Sequence, residues 1–361
     1  MTTRRRLRGS VLIVTSCLLL LLCAVVGADA EPQREGQQPG LPFVPCEDMP
    51  ENPCPSEDFA DTYQWINFVQ LGMTGSPKAR QWARIPLAVM GNVALLGYGQ
   101  NLSNPPEYYS GTDFFFELRT FFVSPPGSEH NYGLSPLIPV RTVAFGSIPV
   151  QIDLQIEQRR DANGLPYPLK ASAKDNIRYG LGDPSGPTRI EVFPARLEDS
   201  VLVRVRRVQV DGVDIRLGST CRTSSPARLK IESEYIEDVS ADGAFQFERF
   251  DPKDGFYGLA GGTLAGAIDI PSFTGCGTDG QDDLSPLLTS AISGPGNPVE
   301  VVVGEMSCIQ PSEDGSRLMP PAPGATTPES INCQKFSPNP NVKPVPDELP
   351  FPAEAPRITG G

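Results

Sequence analysis

This chain has one imidazole that could act as the base in nucleophilic catalysis. His130 is the only histidine, and it lies in a loop rich in proline and glycine, residues 125–133. A Ser/His/acid relay needs an imidazole as its base. The sequence contains no Gly-x-Ser-x-Gly elbow that would present a serine nucleophile beside it. We therefore interpret His130 as a solvated loop residue, and no catalytic residue is predicted.

Carboxylates are the second class of side chain in the sequence that could bind a metal or catalyse a reaction. Asp279, Asp282 and Asp283 cluster in one turn after Cys276-Gly277. Their hard oxygen atoms suit Ca²⁺, although the spacing is not that of an EF-hand loop, and a solvated turn is the alternative. Two acids at a suitable separation would hydrolyse a glycosidic bond, but the 43 acidic residues include no pair that the sequence singles out. No cofactor is predicted.

An aromatic segment offers a binding surface for apolar ligands. In a strand from Phe114 to Val123, alternation places four side chains on one face: Phe114, Phe116, Leu118 and Phe122. These side chains form either a packed core or, together with the apolar run at residues 87–96, the lining of a cavity for an apolar ligand. The same run at 87–96 is ambiguous between helix and strand.

Six cysteines follow a segment with the features of an export signal. Arg4, Arg5, Arg6 and Arg8 precede an apolar run, and Ala28-Asp29-Ala30 matches the small-x-small pattern of signal peptidase sites, which predicts cleavage after Ala30. Export to an oxidising compartment predicts three disulfides. The cysteines are Cys46, Cys54, Cys221, Cys276, Cys308 and Cys333. We expect Cys46 to pair with Cys54, Cys276 with Cys308, and Cys221 with Cys333.

The side chains named above must be positioned mainly by β-strands, which the sequence indicates by period-two patterns. Ile148, Val150, Ile152, Leu154 and Ile156 alternate with polar residues. The residues from Val201 to Leu217 alternate likewise, with a phase slip at Arg206 and Arg207 that is typical of a β-bulge. Asp211-Gly212 predicts a primed turn, hence a hairpin. Helices are predicted only at Ser56–Gln70 and from Ser285. These features favour a mainly β fold, an antiparallel β-sandwich in one or two lobes with one or two short helices.

Composition divides the chain into five segments. We predict a signal peptide at 1–30, a proline-rich linker at 31–56, a first β-rich lobe at 57–185, a second β-sandwich lobe at 186–310 and a proline-rich tail at 311–361. The tail has twelve prolines in 51 residues and no apolar periodicity. We therefore expect it to contribute no apolar face to a core.

One stretch of the second lobe resembles a known group. Ile270-Pro271-Ser272-Phe273, then Cys276-Gly277 and Ser293-Gly294-Pro295-Gly296-Asn297, resemble a pattern of uncharacterised exported β-rich proteins of high-GC Gram-positive bacteria. The resemblance covers about residues 201–308. It implies an envelope or extracellular setting with disulfides, and it transfers no activity or catalytic residue.

These observations favour an exported, non-catalytic protein of the cell envelope or medium. A lipid or another apolar envelope component is the expected partner. The net charge of −13, with no Lys/Arg cluster beyond the first eight residues, argues against nucleic-acid binding. The alternatives are a structural, wall-spanning protein and a hydrolase that uses carboxylates.

Overall fold

The protein is described here from a computed structural model. The residues it describes are 38–42, 65–100, 108–144, 147–183, 185–240, 255–257, 261–277, 282–304, 308, 310–311, 318–333 and 348–358. They form sixteen strands, an α-helix α1 (Ser285–Ile292) and a 3₁₀ helix (Pro328–Ile331). The strands are β1 Phe68–Ser76, β2 Gln81–Gln100, β3 Tyr108–Phe122, β4 Ile138–Ala144, β5 Ile148–Gln158, β6 Leu169–Leu181, β7 Thr188–Val192, β8 Arg196–Val210, β9 Val213–Ile215, β10 Arg222–Thr223, β11 Ala227–Glu232, β12 Ile236–Ser240, β13 Phe256–Tyr257, β14 Gly261–Ile270, β15 Phe273–Thr274 and β16 Gly294–Val303.

The predicted hairpin is present, with its turn and its bulge. Strands β8 and β9 pair across Asp211 and Gly212, whose φ angles are 52° and 78°. Positive φ at both central residues is what a primed turn requires, and Asp-Gly supplies it at little steric cost. On the other side of β8, the register against β5 shifts beside Arg206, so one residue of β8 is extra. The phase slip in the sequence therefore marks a real bulge.

Two segments whose sequence patterns did not clearly indicate a strand are strands in the structure. The ambiguous run at residues 87–96 lies within β2. The helix predicted at Ser56–Gln70 is wrong for its described part, because Trp65 bridges Val93 and β1 begins at Phe68. Apolar residues here are buried on both faces of a strand, which removes the alternation that would have distinguished it from a helix. The helix predicted from Ser285 is confirmed as α1.

The mainly β prediction is confirmed, but a sandwich is not. All strand pairings are antiparallel, and eight strands close on themselves in the order β6-β3-β2-β1-β16-β14-β11-β8, with β8 pairing β6. A sandwich needs two separate sheets with open edges, whereas here the pairings β1–β16 and β6–β8 leave no break in that circuit. The barrel draws four strands from each predicted lobe.

The remaining strands extend the barrel on two sides. Strands β7 and β12 continue outward from the far part of β6. The second half of β8 pairs with β5, which pairs with β4. The outer edge of β4 lies within 8 Å of β2, measured between Cα atoms, but the two strands form no hydrogen-bonded ladder. We call this unpaired boundary between β4 and the first half of β2 the seam.

The tail covers part of the outer surface of the barrel. Ile331 is fully buried against Val69, Val89 and Phe121, which point outward from β1, β2 and β3. Leu349 packs in a second cluster that includes Leu71 and Met73. The expectation that the tail adds no apolar face is therefore wrong. Isolated apolar side chains between prolines suffice, because the barrel supplies the continuous apolar surface.

Two disulfides join described cysteines, and both pairings differ from those expected. Cys221 pairs with Cys276, and Cys308 with Cys333, at Cα separations of 4.2 and 4.5 Å. The first pair is brought together because β10 and β15, which adjoin Cys221 and Cys276, lie side by side. The second ties the tail to the end of β16. Cys46 and Cys54 lie outside the described residues.

Candidate functional site

The inner wall of the barrel encloses a cavity of about 120 Å³. Alternate residues of each strand point inward, as period two requires. The lining is almost wholly apolar, and its members include Phe68, Met90, Leu118, Phe122, Val201 and Val301. An eight-stranded barrel is just wide enough for large side chains to fill. Here many inward positions hold valine or alanine, and the space that larger side chains would occupy is left as a cavity.

The predicted aromatic face is divided by the structure. Leu118 and Phe122 line the cavity. Phe116 lies on the same face of β3, half-buried, but beyond the cavity. The side chain of Phe114 lies outside the described residues. From the run at 87–96, Met90 points into the barrel and Leu87 points outward.

The inner wall also carries a polar pair that the sequence analysis missed. The Thr120 hydroxyl, at the cavity, donates to Oδ1 of Asn92 at 2.8 Å. Asn92 is fully buried, and its Nδ2 has no partner among the described residues. An asparagine that interrupts the apolar run at 87–96 was the available signal, since a polar residue at a buried strand position needs a partner.

A buried carboxyl lies further along the inner face of β6. Asp175 is 4% exposed and follows Leu169, Ala171 and Ala173 in the same period-two register. Burial raises the pKa of Asp175 to about 7. Its cross-strand neighbour on β7 is Val192, so this part of the wall supplies no compensating charge.

A surface groove of about 540 Å³ lies at the seam. Its walls come from β2, from Pro139 and Arg141 of β4, and from the tail at Glu348, Leu349 and Phe351. Leu71 and Ile85 line both this groove and the interior cavity. Ile85 belongs to the inner core, so a thin layer of side chains separates the two spaces.

Two arginines give the groove a positive rim. The Arg84 guanidinium lies 3.2 Å from the Glu348 carboxylate, donates to the carbonyl of Leu349 at 3.3 Å and stacks 4.4 Å from the ring centre of Phe351. Arg141 is exposed and has no ion-pair or hydrogen-bond partner among the described residues. The groove thus combines apolar walls with one engaged and one unengaged cation.

A charged network covers the polar face of β5 and β8. Glu129, His130 and Glu157 place their ligand atoms within 4.8 Å of one another. Arg204 pairs with both carboxylates, and Arg206 binds Glu129 at 2.9 Å. The hydrogen bond from Arg206 leads the effects that lower the pKa of Glu129, while burial lowers the pKa of His130. The guanidinium groups already neutralise these carboxylates, so the trio is a poor cation site.

Two of the three residues of the predicted calcium site lie in the described part of the chain. Asp282 and Asp283 are exposed, and Asp279 lies outside the described residues. Oδ1 of Asp283 accepts hydrogen bonds from the backbone N–H and the hydroxyl of Ser285, at 2.9 and 2.6 Å. These bonds lower the pKa of Asp283. Asp283 therefore satisfies a donor at the start of α1, which is a structural role.

Comparisons with known proteins returned nothing: no family model, no curated protein and no solved structure matches the chain. Among the described residues, no helix is both long and apolar enough to cross a membrane.

Proposed function

We propose that this protein is an exported, non-catalytic binding protein that holds a small apolar group inside its barrel. The observation that carries the proposal is the apolar cavity inside the barrel, lined by Leu118 and Phe122. A well-packed core leaves few voids, and a dry apolar cavity of about 150 Å³ is large enough to bind benzene. The cavity in this barrel is of that order, so an aromatic ring or a short alkyl group is the expected occupant.

The cavity is tested with benzene as the probe. Saturable shifts of methyl NMR signals from Val201 and Val301 are the expected result in the oxidised full chain. Val301→Phe should fill the cavity and abolish the shifts. Val213 is 64% exposed, so Val213→Phe makes the same change away from the cavity and should leave binding intact. Absence of saturable shifts in the native chain would overturn the proposal.

Export is the second part of the proposal. It is supported by the pattern of the first thirty residues and by two disulfides among the described cysteines, which persist in oxidising compartments. Intact mass of the protein recovered from the medium or the envelope should correspond to a chain that begins at Glu31 and carries no free thiol. A chain that retains Met1, or that is recovered only from the cytoplasm with reduced cysteines, would contradict it.

A further inference from the structure

We propose that the interior cavity and the groove at the seam form one site for an anionic amphiphile, with the apolar end in the barrel and a carboxylate at Arg141 and Arg84. This inference rests on the proposed function, because it adds a headgroup and a route to the same cavity. Four observations support it, from the wall, the shared lining, the charges and the tail.

The seam is where the wall offers access to the interior. A hydrogen-bonded ladder holds neighbouring strands together, so a ligand cannot pass between them without breaking it. Strand β4 pairs only with β5, and β3 pairs with β2 only from Met90 onward. The first half of β2 and the edge of β4 therefore face each other without a ladder. Among the described residues, no ladder between β2 and β4 has to break for an apolar group to pass there.

The shared lining makes the two spaces one site. Leu71 and Ile85 border both the cavity and the groove. The cavity holds about one ring or a short alkyl group, and the groove holds considerably more. A ligand with an apolar end in the barrel would therefore extend into the groove and place its polar end at the rim.

The charges at the rim select an anion. Arg84 already binds a carboxylate, that of Glu348, which shows that this position accommodates the group. The Arg84 and Glu348 side chains are 41% and 66% exposed, and an ion pair this exposed is weak. A ligand carboxylate can replace Glu348, and Arg141 supplies a second cation. Two guanidinium groups against one carboxylate leave a positive charge that the ligand would neutralise.

The tail supplies an adjustable wall. Leu349 and Phe351 flank the groove, and residues 348–358 are attached mainly through Arg84 and through Trp82, whose Nε1 donates to the carbonyl of Glu354 at 2.8 Å. The bond from Trp82 is exposed, that from Arg84 is part-buried, and Leu349 packs beside Leu71, so a shift of this segment would begin at its exposed residue Phe351.

Calorimetry on the oxidised full chain tests the inference with decanoate below its micelle concentration and decan-1-ol below its solubility limit. Decanoate should bind about threefold to fivefold more tightly than decan-1-ol, which is the factor expected of an ion pair exposed at the rim. Arg141→Gln should remove the preference for decanoate and leave decan-1-ol binding unchanged. Arg222→Gln changes an exposed strand arginine outside the groove and should have no effect.

The outcomes separate this inference from the proposed function. If benzene binds but decanoate shows no advantage over decan-1-ol, the anionic headgroup is wrong and the apolar cavity stands. If decanoate keeps its advantage in Arg141→Gln, the placement of the carboxylate at Arg141 is wrong. If decanoate binds equally well to Val301→Phe, the groove is a separate surface site and the single-site inference fails. If benzene does not bind to the native chain, the proposed function itself fails.

Discussion

The two faces of strand β3 differ in how completely they are packed. Phe121 points outward and is fully buried under the tail, with its ring centre 6.0 Å from that of Trp65 and Ile331 in the same cluster. Phe122, the next residue, points inward and borders the cavity. Around Phe121 the outer face is covered by a proline-rich segment, and Phe121 borders neither the interior cavity nor the groove. The composition of the barrel interior suggests a solid core, but the interior contains the cavity.

This difference is informative about where ligands and mutations act. A tail that wraps the barrel can adjust to its surface one residue at a time, so it fills gaps. Inward-pointing side chains are held at the spacing of the strands and have no such freedom. Space therefore persists inside the barrel, and the outer face tolerates less change in volume.

Phe121→Ala should have the largest effect on stability. It removes a fully buried ring from the outer face, and such changes lower the free energy of unfolding by about 3–5 kcal/mol. Urea unfolding under oxidising conditions measures it. Phe115 is only partly buried on the same strand, and Phe115→Ala is the control with a smaller loss. A loss below about 1 kcal/mol for Phe121→Ala would show that the tail does not pack as described.

Asp175→Asn should stabilise the protein at neutral to alkaline pH. The ordinary pKa of Asp is 3.8, and burial raises that of Asp175 to about 7. The unfolded chain ionises first, so stability is lost as the pH rises from about 4 to 7. A shift of about three units corresponds to at most about 4 kcal/mol, and the asparagine variant should recover part of this at pH 8.

Asp283→Asn should change stability at neutral pH in the opposite direction from Asp175→Asn. Hydrogen bonds from Ser285 lower the pKa of Asp283, so its contribution is present above pH 4 and is lost in acid. This substitution should weaken the protein slightly at neutral pH and have no effect in acid. Equal pH dependence of the two variants would contradict both assignments. Unfolding midpoints measured from about pH 2 to about pH 8 cover both transitions and decide.

A matched pair of enlargements compares the two faces directly. Val301→Leu adds a methylene beside the cavity and should be neutral or stabilising by up to about 1 kcal/mol. Val93→Leu makes the same change on the outer face, where the residue is 1% exposed among Trp65 and Phe121, and should cost about 1–3 kcal/mol. The same sign and size for both variants would mean that the faces are packed alike.

Removal of residues 348–361 should have a small effect. The segment buries Leu349, which contributes about 2 kcal/mol, but ordering its backbone offsets most of that gain. We expect a net loss of about 1 kcal/mol in urea unfolding. Replacing Cys308 and Cys333 with alanine is the comparison, because that disulfide spans 25 residues and should contribute about 3–4 kcal/mol. Equal losses of unfolding free energy would mean that the two segments of the tail contribute equally to stability.

Local elements were predictable from the sequence, and the closure of the barrel was not. Strand β5, the β8–β9 hairpin, its bulge at Arg206 and helix α1 follow from patterns within about twenty residues. The pairing of β1 with β16 joins residues more than two hundred positions apart, and nothing in either strand specifies its partner. The same holds for the disulfides, since strand neighbours decide which cysteines meet.

The candidate site was predictable only in part. The pattern placed Leu118 and Phe122 on one face, and that face borders the cavity. It did not reveal Arg84 and Arg141, because their proximity depends on where β4 lies beside β2 and on the path of the tail. Asn92 was visible as a polar residue in an apolar run, yet its neighbour Thr120 comes from the next strand.

The pairing of β1 with β16 also sets the order of events in folding. The barrel cannot close until residue 303 is free to pair with Gln70, although synthesis supplies Gln70 much earlier. The intervening strands must wait with unpaired edges, and such long-range closure is slow, in the range of milliseconds to seconds. A chain with this topology has no closed barrel while its second half is still being made, and the apolar face of β1 stays uncovered by β16 during that interval.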